Sequence, residues 1–121
     1  MKNLEHKIFR QRLTVEARYN IVITRDLIIQ FLGDFANHLG MTLLTSPFVF
    51  TPNESKHPLH HGIAGFVGWM ESGCSIYTWD KFNFLTVEIY TCKKFDVKKA
   101  EKFVKNFFNC KEITSGEIKY D

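Results

Sequence analysis

The chain has 121 residues, 45% apolar and 24% charged, with 16 Lys and Arg against 13 Asp and Glu. That is most simply one domain, spanning 1–121 and large enough to bury a core unaided. The surplus of +3 is scattered along the chain, which argues against a basic stripe for nucleic acid.

No apolar run approaches the roughly 20 residues a membrane span needs. The N-terminal MKNLEHKIFRQRL lacks the apolar centre of a signal peptide, so a cytoplasmic location is expected. Residues 7–18 alternate Phe9, Gln11, Leu13, Val15 and Ala17 against Arg10, Arg12, Thr14 and Glu16, the period of a strand. Thr24 is placed to cap a helix over 25–39, with Asp26 in its first turn. Leu27, Ile28, Phe31, Leu32, Phe35 and Leu39 would form that helix's apolar stripe, and Gly40 would end it in a left-handed conformation. The segment 41–50, MTLLTSPFVF, reads as a strand interrupted at Pro47.

Turn residues make 51–62 a loop. Its His57, His60 and His61 match no familiar metal-ligand spacing, and no metal is expected there. The 3 cysteines, Cys74, Cys92 and Cys110, form no CxxC pair and no disulfide scaffold. Cys74 and Cys110 read as small buried hydrophobes.

Residues 62–92, GIAGFVGWMESGCSIYTWDKFNFLTVEIYTC, read as three short strands joined by tight turns. Strand alternation puts Cys74, Ile76 and Thr78 on one face and Ser75, Tyr77 and Trp79 on the other. It likewise separates Leu85, Val87 and Ile89 from Thr86, Glu88, Tyr90 and Cys92. Glu88 would then be a lone acid on a face of rings and small residues. Asp96 caps a second helix over 97–108, with Val97, Ala100, Phe103, Val104, Phe107 and Phe108 inward and its lysines in water. Residues 110–121 close the chain as a strand or hairpin.

The order β-α-β-loop-β-β-β-α-β predicts an α+β fold, a two-layer sandwich with two helices on one face of an antiparallel sheet. The uncovered face should be polar, yet in 62–70 both alternations are apolar or small. Phe9, Leu13 and Val15, or their neighbours, are expected to add to that second apolar surface. A homo-oligomer covering it is therefore expected.

The run GIAGFVGWMESGCSIYTWDKF…TVEIYTC, followed by a DxxKA helix, resembles the bacterial and archaeal S-adenosylmethionine decarboxylases across most of residues 60–105. In that family the chain cuts itself before a serine, which becomes a pyruvoyl group. Glu71-Ser72 stands at the cleavage position and Cys92 at the place of the catalytic cysteine. Tyr77 stands in place of the processing histidine, and Ala64 in place of a second processing serine. A phenol with a pKa near 10 is a poor base at neutral pH. The chain is also similar to the phage-encoded S-adenosylmethionine lyases, a decarboxylase-like scaffold without the pyruvoyl apparatus. This resemblance implies a homotrimer in the cytoplasm of the host, with the substrate between subunits and no cofactor. It matches Tyr77 and Glu88 to the catalytic tyrosine and glutamate.

S-adenosylmethionine carries its own leaving group, a neutral thioether, and its own nucleophile, the carboxylate. Attack on the γ-carbon gives homoserine lactone and methylthioadenosine. Positioning supplies roughly 7–11 kcal/mol of such a barrier, and a dry pocket favours a step that annihilates charge. Tyr77, Trp79 and Tyr90 are candidates for an aromatic wall against the sulfonium, with Ser75 as a further substrate contact. Glu88 would anchor the ammonium; the structural alternative is an ion pair with Arg10 or Arg12. For Tyr77 the alternative is cross-strand packing. Gly62, Gly65 and Gly68 would either admit a ligand close to the backbone or bend a twisted strand. A decarboxylase and a non-catalytic binder of S-adenosylmethionine remain as competing functions.

Overall fold

The computed structural model describes residues 1–51 and 61–121. Its elements follow the expected order: β1 (Gln11–Arg18), α1 (Arg25–His38), β2 (Phe48–Phe50), β3 (Ala64–Trp69), β4 (Ser72–Trp79), β5 (Phe84–Thr91), α2 (Val97–Phe107) and β6 (Glu112–Glu117). The strands form one antiparallel sheet in the order β2-β3-β4-β5-β1-β6. Both helices pack on the same face, an α+β two-layer sandwich.

Capping fixes the helix starts. The Thr24 hydroxyl accepts from the Leu27 amide at 3.2 Å, and the Asp96 carboxylate accepts from the Lys99 amide at 3.1 Å. Gly40 follows α1 with φ 73°, as expected of a residue in the left-handed region. Between sheet and helices, Phe35 stacks on both Phe31 and Phe103, and Phe103, Phe107 and Phe108 complete a ring cluster around Phe31. Leu13, Val15, Ile76, Leu85, Val87 and Ile89 close this core from the sheet side. Cys74 and Cys110 lie within it as buried thiols. Burial, and then the nearby Glu88 charge, push the Cys74 thiol up; burial pushes Cys110 up to about 11.

Gly62 and Gly65 are two of the three glycines, with Gly73, whose surroundings leave no room for a Cβ. A Cβ on Gly65 would lie 2.8 Å from Ile28 Cγ2 of α1, and one on Gly62 would lie 1.6 Å from the Thr78 carbonyl oxygen. Neither glycine is there to admit a ligand.

Three expectations need correction. The first strand begins at Gln11 rather than residue 7, and Phe9 is an exposed side chain outside it. Only Phe48–Phe50 of the 41–50 segment pairs as a strand, with an isolated bridge from Leu43 to Trp69. The amides of Leu44 and Thr45 instead both turn to the Gly68 carbonyl. Finally, Leu13 and Val15 face the helices, so they add nothing to the second apolar surface. The exposed rings of that surface, Phe48, Phe50, Phe66 and Tyr77, lie on β2, β3 and β4, and half-buried Phe84 of β5 extends it. On β1 and β6 the same side of the sheet carries Arg12, Thr14, Glu16, Arg18, Glu112 and Thr114.

Candidate active site on the open face

Across β3 and β4 the uncovered face is a row of rings. Phe66 meets Phe50 edge-on at 6.5 Å and Tyr77 edge-on at 5.6 Å. Tyr77 lies 6.4 Å from Trp79, which lies 5.5 Å from Phe84. Beside this row runs a groove of about 680 Å³, a size suited to a small ligand. Arg12 and Thr14 of β1 line one side, Phe48 and Phe66 the other, and Ser75, Glu88 and Tyr90 lie between them. A depression of about 750 Å³ lies elsewhere, where residues 6–11, 94–97 and 117–120 meet. Although larger, it contains none of the residues expected to do chemistry.

The pairing register explains why Glu88 stands in the groove. It is opposite Ser75 on β4 and opposite Thr14 on β1. The Thr14 hydroxyl donates to Glu88 Oε2 at 2.6 Å, a short bond to a charged acceptor that fixes the carboxylate. Glu88 does not pair with Arg10 or Arg12. Arg10 instead bonds Asn3 and the Glu5 carbonyl and lies 4.8 Å from the centre of the Tyr120 ring. Arg12 places its guanidinium 3.8 Å from the centre of the Tyr90 ring and donates from Nε to the Tyr120 hydroxyl at 2.7 Å. Among the described residues the ion pairs are Met1–Asp121 and Lys119–Glu117, and neither involves Glu88 or Arg12.

The expected site residues are thus only partly gathered. Ser75, Glu88 and Tyr90 share the groove, and one face of Tyr90 is already taken by Arg12. Tyr77 is two residues beyond Ser75 and opposite Thr86, diagonal to Glu88 and about 7–8 Å from it by strand geometry. Trp79 is a further two residues on, at the end of the ring row. Arg12, Thr14, Phe48 and Phe66 were not expected in the site. The alternation of 11–18 does put Arg12 and Thr14 on one face, but only the long-range pairing of β1 with β5 brings them to Glu88.

Ser72 also lines the groove. Met70 and Glu71 form the connection from β3, and Ser72 follows with φ 142°, a conformation that strains a residue with a side chain. Glu71 is held on both sides. Its carbonyl accepts from the Cys92 amide at 2.8 Å, and its carboxylate accepts from the Thr42 amide at 2.9 Å. That backbone hydrogen bond chiefly holds the Glu71 carboxyl below the usual carboxylate range. Cys92 itself is exposed, one residue past β5. His57 and His60 lie outside the described residues, and among those described no three metal-ligating side chains come together.

A family model of S-adenosylmethionine decarboxylase matches residues 14–120. The chain belongs to the S-adenosylmethionine decarboxylase family. A solved structure of the adenosylmethionine decarboxylase from Aquifex aeolicus VF5 superposes with a TM-score of 0.69 over 93% of this chain and 91% of that one. The two are 20% identical, so this likeness concerns the fold. No curated protein sequence matches. Glu71-Ser72 and, Arg12 apart, the residues lining the groove beside it lie within the matched residues. No helix is long and apolar enough to cross a membrane among the described residues.

Proposed function

We propose that the protein is a carbon–sulfur lyase that converts S-adenosylmethionine to methylthioadenosine and L-homoserine lactone. A carboxylate oxygen of the substrate attacks its own γ-carbon. The γ-carbon–sulfur bond breaks, its electron pair goes to sulfur, and the sulfonium leaves as a neutral thioether. The observation that carries this reading is the content of the groove: among its described lining residues there is one carboxylate, Glu88, and no imidazole. Hydrolysis needs a base to activate water, whereas internal attack needs none.

In this scheme Glu88, oriented by Thr14, holds the substrate ammonium. Tyr77 lines the approach with its ring and hydroxyl, and the other face of Tyr90 is available to a cation. Ser75, opposite Glu88, is a further contact, and Trp79 backs Tyr77. Phe48 and Phe66 offer an apolar platform for the nucleobase. The exposed rings of β2, β3 and β4 support assembly with further copies of this chain, a homotrimer by resemblance, that would shut water out of the groove. The setting is the cytoplasm of a phage host.

A pyruvoyl-dependent decarboxylase is the second reading, and the strained backbone at Ser72 favours it. The neighbouring residues do not fit formation of that group. Ala64 and Tyr77 are register partners on the open face, where the decarboxylase resemblance calls for a serine and a histidine.

Incubation with S-adenosylmethionine and chromatography of the products tests the reading. Methylthioadenosine with homoserine or its lactone is expected, from a chain of undivided mass. Decarboxylated S-adenosylmethionine, with the chain split between Glu71 and Ser72, would replace the lyase by the decarboxylase. Recovery of unchanged, bound S-adenosylmethionine would make the protein a binder.

A further inference from the structure

Arg12 and Glu88 share one groove without neutralising each other. Each is held by something else. Glu88 is bonded through Oε2 to Thr14. Arg12 is fixed by the Tyr90 ring beneath it and by the Tyr120 hydroxyl at Nε. Among the described residues, Glu88 Oε1 and both terminal nitrogens of Arg12 have no partner. An oriented guanidinium beside an oriented, unpaired carboxylate forms a fixed dipole in an otherwise aromatic and hydroxyl-lined groove. The two residues are diagonal neighbours on β1 and β5, since Arg12 pairs with Tyr90 and Glu88 with Thr14. Diagonal neighbours lie about 7–8 Å apart at the backbone, within reach of long side chains.

We infer that Arg12 binds the α-carboxylate of the ligand's amino-acid end while Glu88 binds its ammonium, so that the groove selects an intact zwitterion over a decarboxylated ligand. The ammonium and carboxylate of an amino acid sit on one carbon, and a group of that kind can bridge the two side chains. The guanidinium fork matches a carboxylate in geometry as well as charge. Stacking on Tyr90 fixes the plane of the fork before the ligand arrives, which lowers the entropy lost on binding.

The identity of the ligand rests on the reading above, and the assignment has a kinetic consequence there. Internal attack consumes the carboxylate's charge, so a guanidinium paired with it stabilises the bound substrate more than the transition state. Such an interaction lowers KM without raising kcat. Removing Arg12 should therefore raise KM for S-adenosylmethionine and leave kcat the same or higher. Removing a group that activates the reacting atoms would lower kcat instead.

The direct test is equilibrium binding of S-adenosylhomocysteine and of its decarboxylated analogue, neither of which carries the sulfonium leaving group. Wild type is expected to prefer S-adenosylhomocysteine by about tenfold or more, as for a charge-assisted contact. In Arg12→Gln the preference should fall to near parity, with affinity for the decarboxylated analogue unchanged. Arg12→Lys keeps the charge without the fork, and should retain only part of the preference. The assignment is overturned if wild type shows no preference or binds neither probe. It is also overturned if either variant, folded by its thermal transition, keeps the full wild-type preference. Release of methylthioadenosine from S-adenosylmethionine is scored separately. Its absence beside an Arg12-dependent preference would overturn the lyase and leave the clamp in place.

Discussion

On the helix side of the sheet, Leu13, Val15, Ile76, Val87 and Ile89 meet Phe31, Phe35 and Phe108, and every one of these side chains is buried. On the other side, the same strands present two unlike surfaces. Phe48, Phe50, Phe66 and Tyr77 crowd β2 to β4, while Arg12, Thr14, Glu16 and Arg18 occupy β1. The groove lies along the seam between them. A face that only has to exclude water can be uniform along its length. A face proposed to hold a charged nucleoside needs apolar and ionic surfaces side by side, and the strand order brings both to this one.

The largest effect expected from breaking this contrast is on stability. Phe31→Ala should cost about 3–5 kcal/mol by chemical denaturation, because it opens a cavity within the ring cluster. Phe66→Ala removes a ring from the open face, 37% exposed in the single chain. In an isolated chain its cost should be well below that of Phe31→Ala. If copies of the chain cover that face, the cost of Phe66→Ala should grow with protein concentration, as light scattering against a 14.2 kDa monomer would reveal. A monomer at all micromolar concentrations would remove the proposed assembly.

Next come the groove residues. Glu88→Gln keeps the shape and removes the charge proposed to face the ammonium, at about 1.5–3 kcal/mol in kcat/KM. Activity equal to wild type, with an unchanged fold, would mean that a different carboxylate is used. Tyr77→Phe keeps the ring contacts with Phe66 and Trp79 and removes one hydroxyl, so about 0.5–1.5 kcal/mol is expected. A loss larger than that of Glu88→Gln would make the phenol the principal group.

The sequence already held the covered face. Helix caps at Thr24 and Asp96, the stripe from Ile28 to Phe35, and the alternation through 74–79 and 85–89 are local signals, and each leads to the observed burial. The open face was legible only strand by strand. Alternation alone places Ser75, Tyr77, Glu88 and Tyr90 on it, but nothing local says that β1 lies beside β5. The partnership of Thr14 with Glu88, and of Arg12 with Tyr90, therefore depends on contacts across more than seventy residues of chain. β2 begins only at Phe48, although residues 41–45 are apolar enough for a strand. In the fold their backbone is spent on the β3 end and on Glu71.

That last contact gives the smallest expected effect. The Glu71 carboxyl is held below its ordinary value of 4.5, chiefly by the Thr42 amide. Its folded pKa is depressed, so its contribution to stability is present above pH 4.5 and is lost as the pH falls through the folded value. In Glu71→Gln the acid limb of the stability profile should be slightly flatter. An unchanged limb would mean that the contact contributes nothing measurable at this exposed turn.

In the proposed reaction the substrate's carboxylate, and not water, attacks the γ-carbon. Reaction in ¹⁸O-water decides between them at early times. Closure to the lactone, followed by ordinary opening at the acyl carbon, places the label in the carboxylate of homoserine, and this is the result expected. Label found mainly in the hydroxyl would mean that water attacks the γ-carbon directly, and the lyase account would be contradicted.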